Sequence, residues 1–200
     1  MFERYEYRDL ARLTMIASAM IIIHLVLRGL TVAATMMLGA SQPDAPSLVD
    51  LFAGIELLGL IATVSVVGRW IYCASRNAHS VSDAMAITPG WAVGWNFIPF
   101  ANLYKPFQAM HEIWDVSHGQ NGDFASKAPP NMRLWWGAWL IGNIMDNVAT
   151  RLTAPSAASA LNIVSVIGAG LALVAGLTLI GIMREISGAQ AVTMQAQVFA

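Results

Sequence analysis

Residues 13–38 read LTMIASAMIIIHLVLRGLTVAATMML, with Arg28 as the only charge. A segment of about 20 mostly apolar residues is long enough to cross the hydrocarbon layer of a bilayer as a helix. Within lipid, a helix satisfies its own backbone polar groups and an irregular chain does not. Three more segments fit the same description: 48–74, 134–152 and 158–183. The third is the shortest and most polar, and the last is the cleanest, rich in Gly and Ala. The sequence therefore predicts an all-α fold, a four-helix transmembrane bundle, with an unusual segment between the second and third spans. One membrane domain over 1–187 and a C-terminal tail over 188–200 are expected. Composition agrees. Charged residues make up 12% of the chain, against about 25% in soluble domains, too few to solvate a globular surface. A net charge of −1 provides no basic field to recruit nucleic acid. The single Cys73 excludes an internal disulfide and a cysteine metal site.

The first apolar run is longer than the roughly 7–15 residues of a signal-peptide core, and its flank mixes Arg4, Arg8 and Arg12 with Glu3, Glu6 and Asp9. It is read as a span that stays in the protein. Orientation follows Lys and Arg in the connections. The N-terminal flank is basic, and the first connection, Gly39 to Ser47, has neither residue type. The central connection and its edges hold Arg69, Arg76, Lys105, Lys127 and Arg133, and Arg184 lies near the end. An even number of spans with both termini cytoplasmic satisfies this pattern. Low Lys with abundant Ala, Gly and Arg points to a high-GC bacterium, and so to a bacterial cytoplasmic membrane.

Between the inner spans lies WAVGWNFIPFANLYKPFQAMHEIWDVSH, residues 91–118. Its first part, Trp91 to Tyr104, is apolar but too short to span, and Asn96, Pro99 and Asn102 interrupt it. Proline removes a backbone donor and clashes with the preceding helical turn. This part is expected to dip into the cytoplasmic leaflet as a re-entrant or interfacial segment, or to lie along the bundle; a full fifth span is the rival. Trp91, Trp95, Tyr104 and Trp114 suit the membrane interface. Pro106 suits the first turn of a new helix. Along that helix Phe107, Met110, Ile113, Trp114 and Ser117 share one face, and Gln108, His111, Glu112, Asp115 and His118 share the other. The expectation is an amphipathic helix lying flat, with a wet polar face. Gln120 to Asn131 reads as a solvated loop.

The run of Trp91, Gly94, Trp95, Phe97, Ile98, Pro99, Asn102, Leu103, Pro106, Met110, Glu112, Ile113, Trp114 and Ser117 resembles the signature of a bacterial membrane-protein family, the domain-of-unknown-function 4328 type. Leu134, Trp135, Trp136 and Trp139 are similar to its next feature. The resemblance covers roughly Arg12 to Ser187. It implies a four-span membrane protein and supplies no activity. The chain departs from the pattern at Asn96, where a large apolar residue is expected, and at His111 and Asp115, where the family is often basic.

A charge at the centre of a span costs about 2.5–3.5 kcal/mol on insertion scales, so it normally has a partner or a job. Counted at about 1.5 Å per residue, Arg28, Glu56 and Asp146 fall at similar depth. An interior polar cluster of these three, edged by His24 and Asn143, is expected. It reads as a structural ion pair fixing helix register, as a proton, ion or solute site, or as charges that snorkel to the outer interface. His111, Asp115 and His118 have ligand-like spacing on one face, and His111-Glu112 opens like HExxH. The fifth position of that pattern is Asp115 rather than His, which makes them weak metal candidates. Gly168, Ala172 and Gly176 form a small-residue stripe. No catalytic motif stands out, and no cofactor is expected. The function expected is that of a non-enzymatic membrane interaction or structural protein, with lipid and a membrane-protein partner or a second copy as its contacts. A small transporter or channel component using the polar cluster is the alternative.

Overall fold

The computed structural model describes residues 6–39, 47–83, 85–119, 127–152 and 155–198. Glu3 and Arg4, almost all of the first connection and most of the expected 120–131 loop lie outside these residues. The chain is all-helical, with no strand among the described residues. Among the described residues six α-helices follow in order: α1 Ala11–Leu38, α2 Leu48–Val81, α3 Pro89–Gly94, α4 Lys105–Ser117, α5 Pro130–Ala149 and α6 Ala158–Val198. Short 3₁₀ turns cover Trp95–Phe97, Ala101–Leu103 and Pro155–Ala157.

The ends of the long helices follow local chemistry. Asp9 Oδ1 accepts the Ala11 N–H at 2.9 Å at the start of α1. Gly39 ends α1 at φ +83°, and its N–H returns to Thr35 O at 3.0 Å, the left-handed position that glycine takes up after a helix. Ser47 and Asp50 open α2 with a reciprocal cap. The Ser47 N–H reaches Asp50 Oδ2 at 2.7 Å, and the Asp50 N–H reaches Ser47 Oγ at 3.3 Å.

Among the described residues three helices are long and apolar enough to cross a membrane: Ala11–Leu38, Leu48–Val81 and Ala158–Val192. The expected third span, now α5, does not join them. Arg133, Asn143, Asp146 and Asn147 dilute its apolar content. Large apolar side chains on the long helices point outward, among them Met15, Val26, Leu57, Leu58, Ile61, Ile163 and Leu177. In the most apolar stretch of α2 only 6% of residues are buried. Soluble proteins rarely expose such continuous apolar surface; lipid is the medium that covers it. Helix α2 extends past the expected end at Ala74 to Val81, and α6 runs to Val198 through the expected tail.

The chain divides into two compact units. One comprises Ser18–Val64 and Arg133–Leu179, parts of α1, α2, α5 and α6. A Cβ on Gly176 would lie 2.9 Å from Leu25 and 3.0 Å from Ile21. Small residues at such points let helices approach closely, so the Gly168–Ala172–Gly176 stripe packs inside this unit. Hydroxyls here turn back on their own helix: Thr31 bonds Leu27 O, Thr35 bonds Thr31 O, Thr63 bonds Gly59 O and Thr178 bonds Val174 O. Thr63 also reaches Met20 O across helices at 3.1 Å.

The other unit comprises Met1–Ala17, Ser65–Met132 and Ile180–Ala200. Leu10, Trp70, Met110, Ile113, Met132, Ile182, Met183 and Ile186 are buried in it. Trp70 Nε1 donates to Thr14 Oγ1 at 2.8 Å, giving the buried indole its partner. Helix α4 begins with proline in its first turn, as expected, but its environment differs from the expectation. His111, Glu112 and Asp115, placed on a wet face by the sequence pattern, are 1%, 2% and 2% exposed. Only His118 of that set is exposed. A 3.6-residue polar stripe marks one face of a helix without saying what covers it. Here the polar groups find partners within the protein.

Candidate functional site

Arg28 on α1 sits between two carboxylates. Its Nη1 lies 3.5 Å from Glu56 Oε1 on α2, and its Nη2 donates to Asp146 Oδ1 on α5. The Arg28 and Glu56 side chains are 16% and 17% exposed, and Asp146 is 44% exposed. One guanidinium thus ties three helices, and one negative charge is left in excess. A buried pair is costly to desolvate and more costly to break, because removing one partner strands the other. Gly168 on α6 supplies the space: a Cβ there would fall within 3.2 Å of both Asp146 Oδ1 and Arg28 Nη2. His24, one turn before Arg28, is half-buried, and its Nδ1 has no hydrogen-bond partner; Arg28 Nε has none either. Asn143 does not join the cluster. It is exposed, and its amide donates to Trp139 O of its own helix at 2.7 Å. Asn147 likewise bonds Asn143 O at 2.8 Å.

In the other unit, buried Glu112 accepts the Ile87 N–H on Oε2 and the Gln108 amide on Oε1, both at 3.0 Å. Gln108 Oε1 in turn accepts from Lys105 Nζ at 3.0 Å. The two donors satisfy both oxygens of this buried carboxylate and tie the residues just before the central segment to α4. His111 Nε2 lies 3.6 Å from Asp115 Oδ2. His118 is turned away, with its ring stacked on Trp114 at 4.2 Å and Nδ1 against Trp114 O. Among the described residues no group of three His, Cys, Asp or Glu side chains could hold a metal ion, so the spacing of His111, Asp115 and His118 is not matched by convergence.

A second buried network has no signature in the sequence pattern. Asn77 Oδ1 accepts the Arg8 N–H at 3.0 Å, while its Nδ2 donates to Arg8 O at 2.8 Å and to Gln190 Oε1 at 2.9 Å. Gln190 Nε2 then donates to Ala74 O and Ser117 Oγ, both at 3.0 Å. Tyr7, Val81 and Val116 complete a small cleft beside these groups. Partial burial, then the Asp9 charge, raises the Tyr7 phenol above its usual range. Only a polar Gln in an otherwise small-residue stretch hinted at Gln190.

The rest of the central segment is covered in part, and its tip faces outward. Trp91 stacks on Trp95 with ring centroids 4.6 Å apart. Ile87 and Ala92 pack with Ala109 of α4, and the Asn96 amide returns to Val93 O at 3.1 Å. Past exposed Pro99 the backbone makes a three-residue turn. The Ala101 N–H meets Pro99 O at 2.8 Å, with Phe100 between them at φ +64° and ψ −41°. This is the rarer, strained hand of the γ-turn, costing about 1–3 kcal/mol for a residue with a side chain. It leaves Phe100 86% exposed, beside Phe97 at 72% and Leu103 at 54%. Of the other motif residues, Asn102, Trp95 and Trp114 are half-buried and Pro106 is buried.

Outward apolar helices and an ion triplet held among them define a multi-pass helical membrane protein. More specifically, the chain belongs to the family described as Domain of unknown function (DUF4328), which residues 39–188 match. The match begins just past α1, so Arg28 and His24 precede it, while Glu56, Asp146 and the central segment lie within it. No curated protein and no solved structure matches the chain.

Proposed function

We propose that this is a non-enzymatic membrane interaction or structural protein, with residues 1–187 as a single membrane domain of four crossing helices. The direct contact of Arg28 with both Glu56 and Asp146 carries this reading. Groups that grip each other fix helix register. Groups that serve a solute need an open face.

Helix α5 is the fourth crossing. Its 20 residues rise about 30 Å, enough for the hydrocarbon layer. Its polar groups fit that role: Asp146 pairs with Arg28, and Asn143 and Asn147 return their amides to their own helix. In lipid, satisfaction of every polar group from within the protein is the requirement. The central segment 91–104 lies at the interface of the cytoplasmic leaflet, in keeping with its exposed aromatics. Lys and Arg around it, and none between the first two spans, support a topology with both termini on the cytoplasmic side of a bacterial membrane. Lipid is the main contact, together with a membrane-protein partner or a second copy; nucleic acid is not a partner.

Topology reporters test the spans. A fusion after Ala200 and one within 120–126 should read cytoplasmic, and one within 40–46 should read outside. A tail reporter that reads outside overturns the four-span reading. Proteoliposomes test the role: proton and cation flux should equal that of empty vesicles.

One observation favours the second reading, a small transporter or channel component. Two carboxylates face one guanidinium, and Arg28 Nε and His24 Nδ1 are buried without hydrogen-bond partners beside them. Flux abolished by Glu56→Gln in a folded protein would establish it.

A further inference from the structure

The strained turn at Phe100 makes sense only if something apolar covers the side chain it presents. Water does not reward a backbone held at positive φ to expose a phenylalanine. Phe97, Ile98, Leu103 and Tyr104 are exposed on the same short segment, so the apolar surface is continuous rather than a single stray ring.

Charge identifies the cover. Between residues 85 and 110 the only charged side chain is Lys105, and the next acids along the chain, Glu112 and Asp115, are buried. The exposed segment therefore ends in one cation with no carboxylate on its surface. Lys105 Nζ lies 5.4 Å from the Tyr104 ring centre and 5.9 Å from the Trp95 ring centre, and gives a hydrogen bond to Gln108 Oε1. An ammonium group has three donors. The rings and one amide oxygen position it while leaving donors for an anion. An apolar tip with interfacial aromatics behind it and a lysine at its rim matches a leaflet in cross-section: acyl chains, then the carbonyl layer, then phosphate.

We propose that Phe97–Tyr104 inserts into the acyl layer of one leaflet and that Lys105 takes the headgroup phosphate of an anionic phospholipid. This rests on the interfacial placement of residues 91–104 given above. It adds a ligand class and a residue that selects it.

Two measurements separate the inference from its foundation. In nanodiscs, a nitroxide on Phe100→Cys, with buried Cys73 verified as unlabelled, should collide with oxygen and be shielded from a water-soluble nickel complex. Shielding lost to the nickel complex puts the turn in water and overturns both statements. Shielding that persists in dilute lipid-free micelles only where the protein is dimeric assigns the cover to a second copy and overturns insertion. The headgroup arm compares phosphatidylglycerol and phosphatidylcholine retained on protein purified from mixed vesicles. Lys105→Ala should lower the phosphatidylglycerol preference about fivefold, the worth of one lysine near an anionic surface, and Lys105→Arg should restore it. Equal retention by Lys105→Ala and the parent, with Phe100→Cys still shielded, overturns anionic recognition and leaves the interfacial placement intact.

Discussion

A Cβ placed on Gly168 would lie 2.9 Å from Asp146 Oδ1. The absence of a side chain on α6 is thus what lets a carboxylate of α5 reach Arg28 on α1. The ion triplet depends on a glycine that carries no charge and matches no polar pattern.

Gly168→Ala should push Asp146 off Arg28 and lower stability by about 1–3 kcal/mol, the usual cost of overpacking. Gly170→Ala, with nothing within 4 Å of its Cβ, should be neutral or slightly stabilising, since Ala is the better helix former. Thermal melts in one detergent compare them. Equal melting temperatures would remove the packing argument.

Removing Arg28 leaves Glu56 and Asp146 facing each other without a cation. Arg28→Ala should cost about 1–3 kcal/mol, less than stranding two fully buried partners, because Asp146 is 44% exposed. Adding Glu56→Gln and Asp146→Asn to it should recover most of the loss. A triple variant as unstable as the single one would show that Arg28 contributes by packing rather than charge.

Glu112 holds the Ile87 N–H and the Gln108 amide. Glu112→Ala should cost about 1–3 kcal/mol for donors left unsatisfied and speed amide exchange over residues 85–105. Glu112→Gln, which keeps one acceptor oxygen, should fall between. Unchanged exchange in the Ala variant would place the anchoring of that segment elsewhere.

Asn77 grips both backbone groups of Arg8 and the Gln190 side chain. Asn77→Ala should raise exchange at the Arg8 amide and destabilise by about 1–3 kcal/mol. Asn77→Asp should be worse, since it turns a donor into an anion facing two carbonyl oxygens. A milder Asp variant would contradict the assigned amide orientation.

Tyr7 titrates above its ordinary 10.0 because of burial, then Asp9. The folded state holds the phenol proton more tightly than the unfolded chain does. Its contribution is therefore complete below pH 10.0 and is lost as pH rises through the folded value. Melting temperature above pH 10.0 should fall faster for the parent than for Tyr7→Phe; parallel curves would exclude the linkage.

Much of this arrangement is readable from sequence because lipid imposes a simple rule. Long runs such as 13–38 and 158–183 must be helical, and a charge such as Arg28 within one must find a partner. Pro106 and the 3.6-residue stripe marked α4. The sequence by itself therefore determined the helices, the membrane class and the three ions that meet. The tertiary structure decided which faces are covered. It buried His111, Glu112 and Asp115, left Asn143 outside the cluster and dispersed the metal-like spacing. It also joined Asn77 to Gln190 and turned Phe100 outward. Periodicity records which residues share a face of one helix, whereas burial depends on what another part of the chain brings against that face, and local spacing carries no information about that.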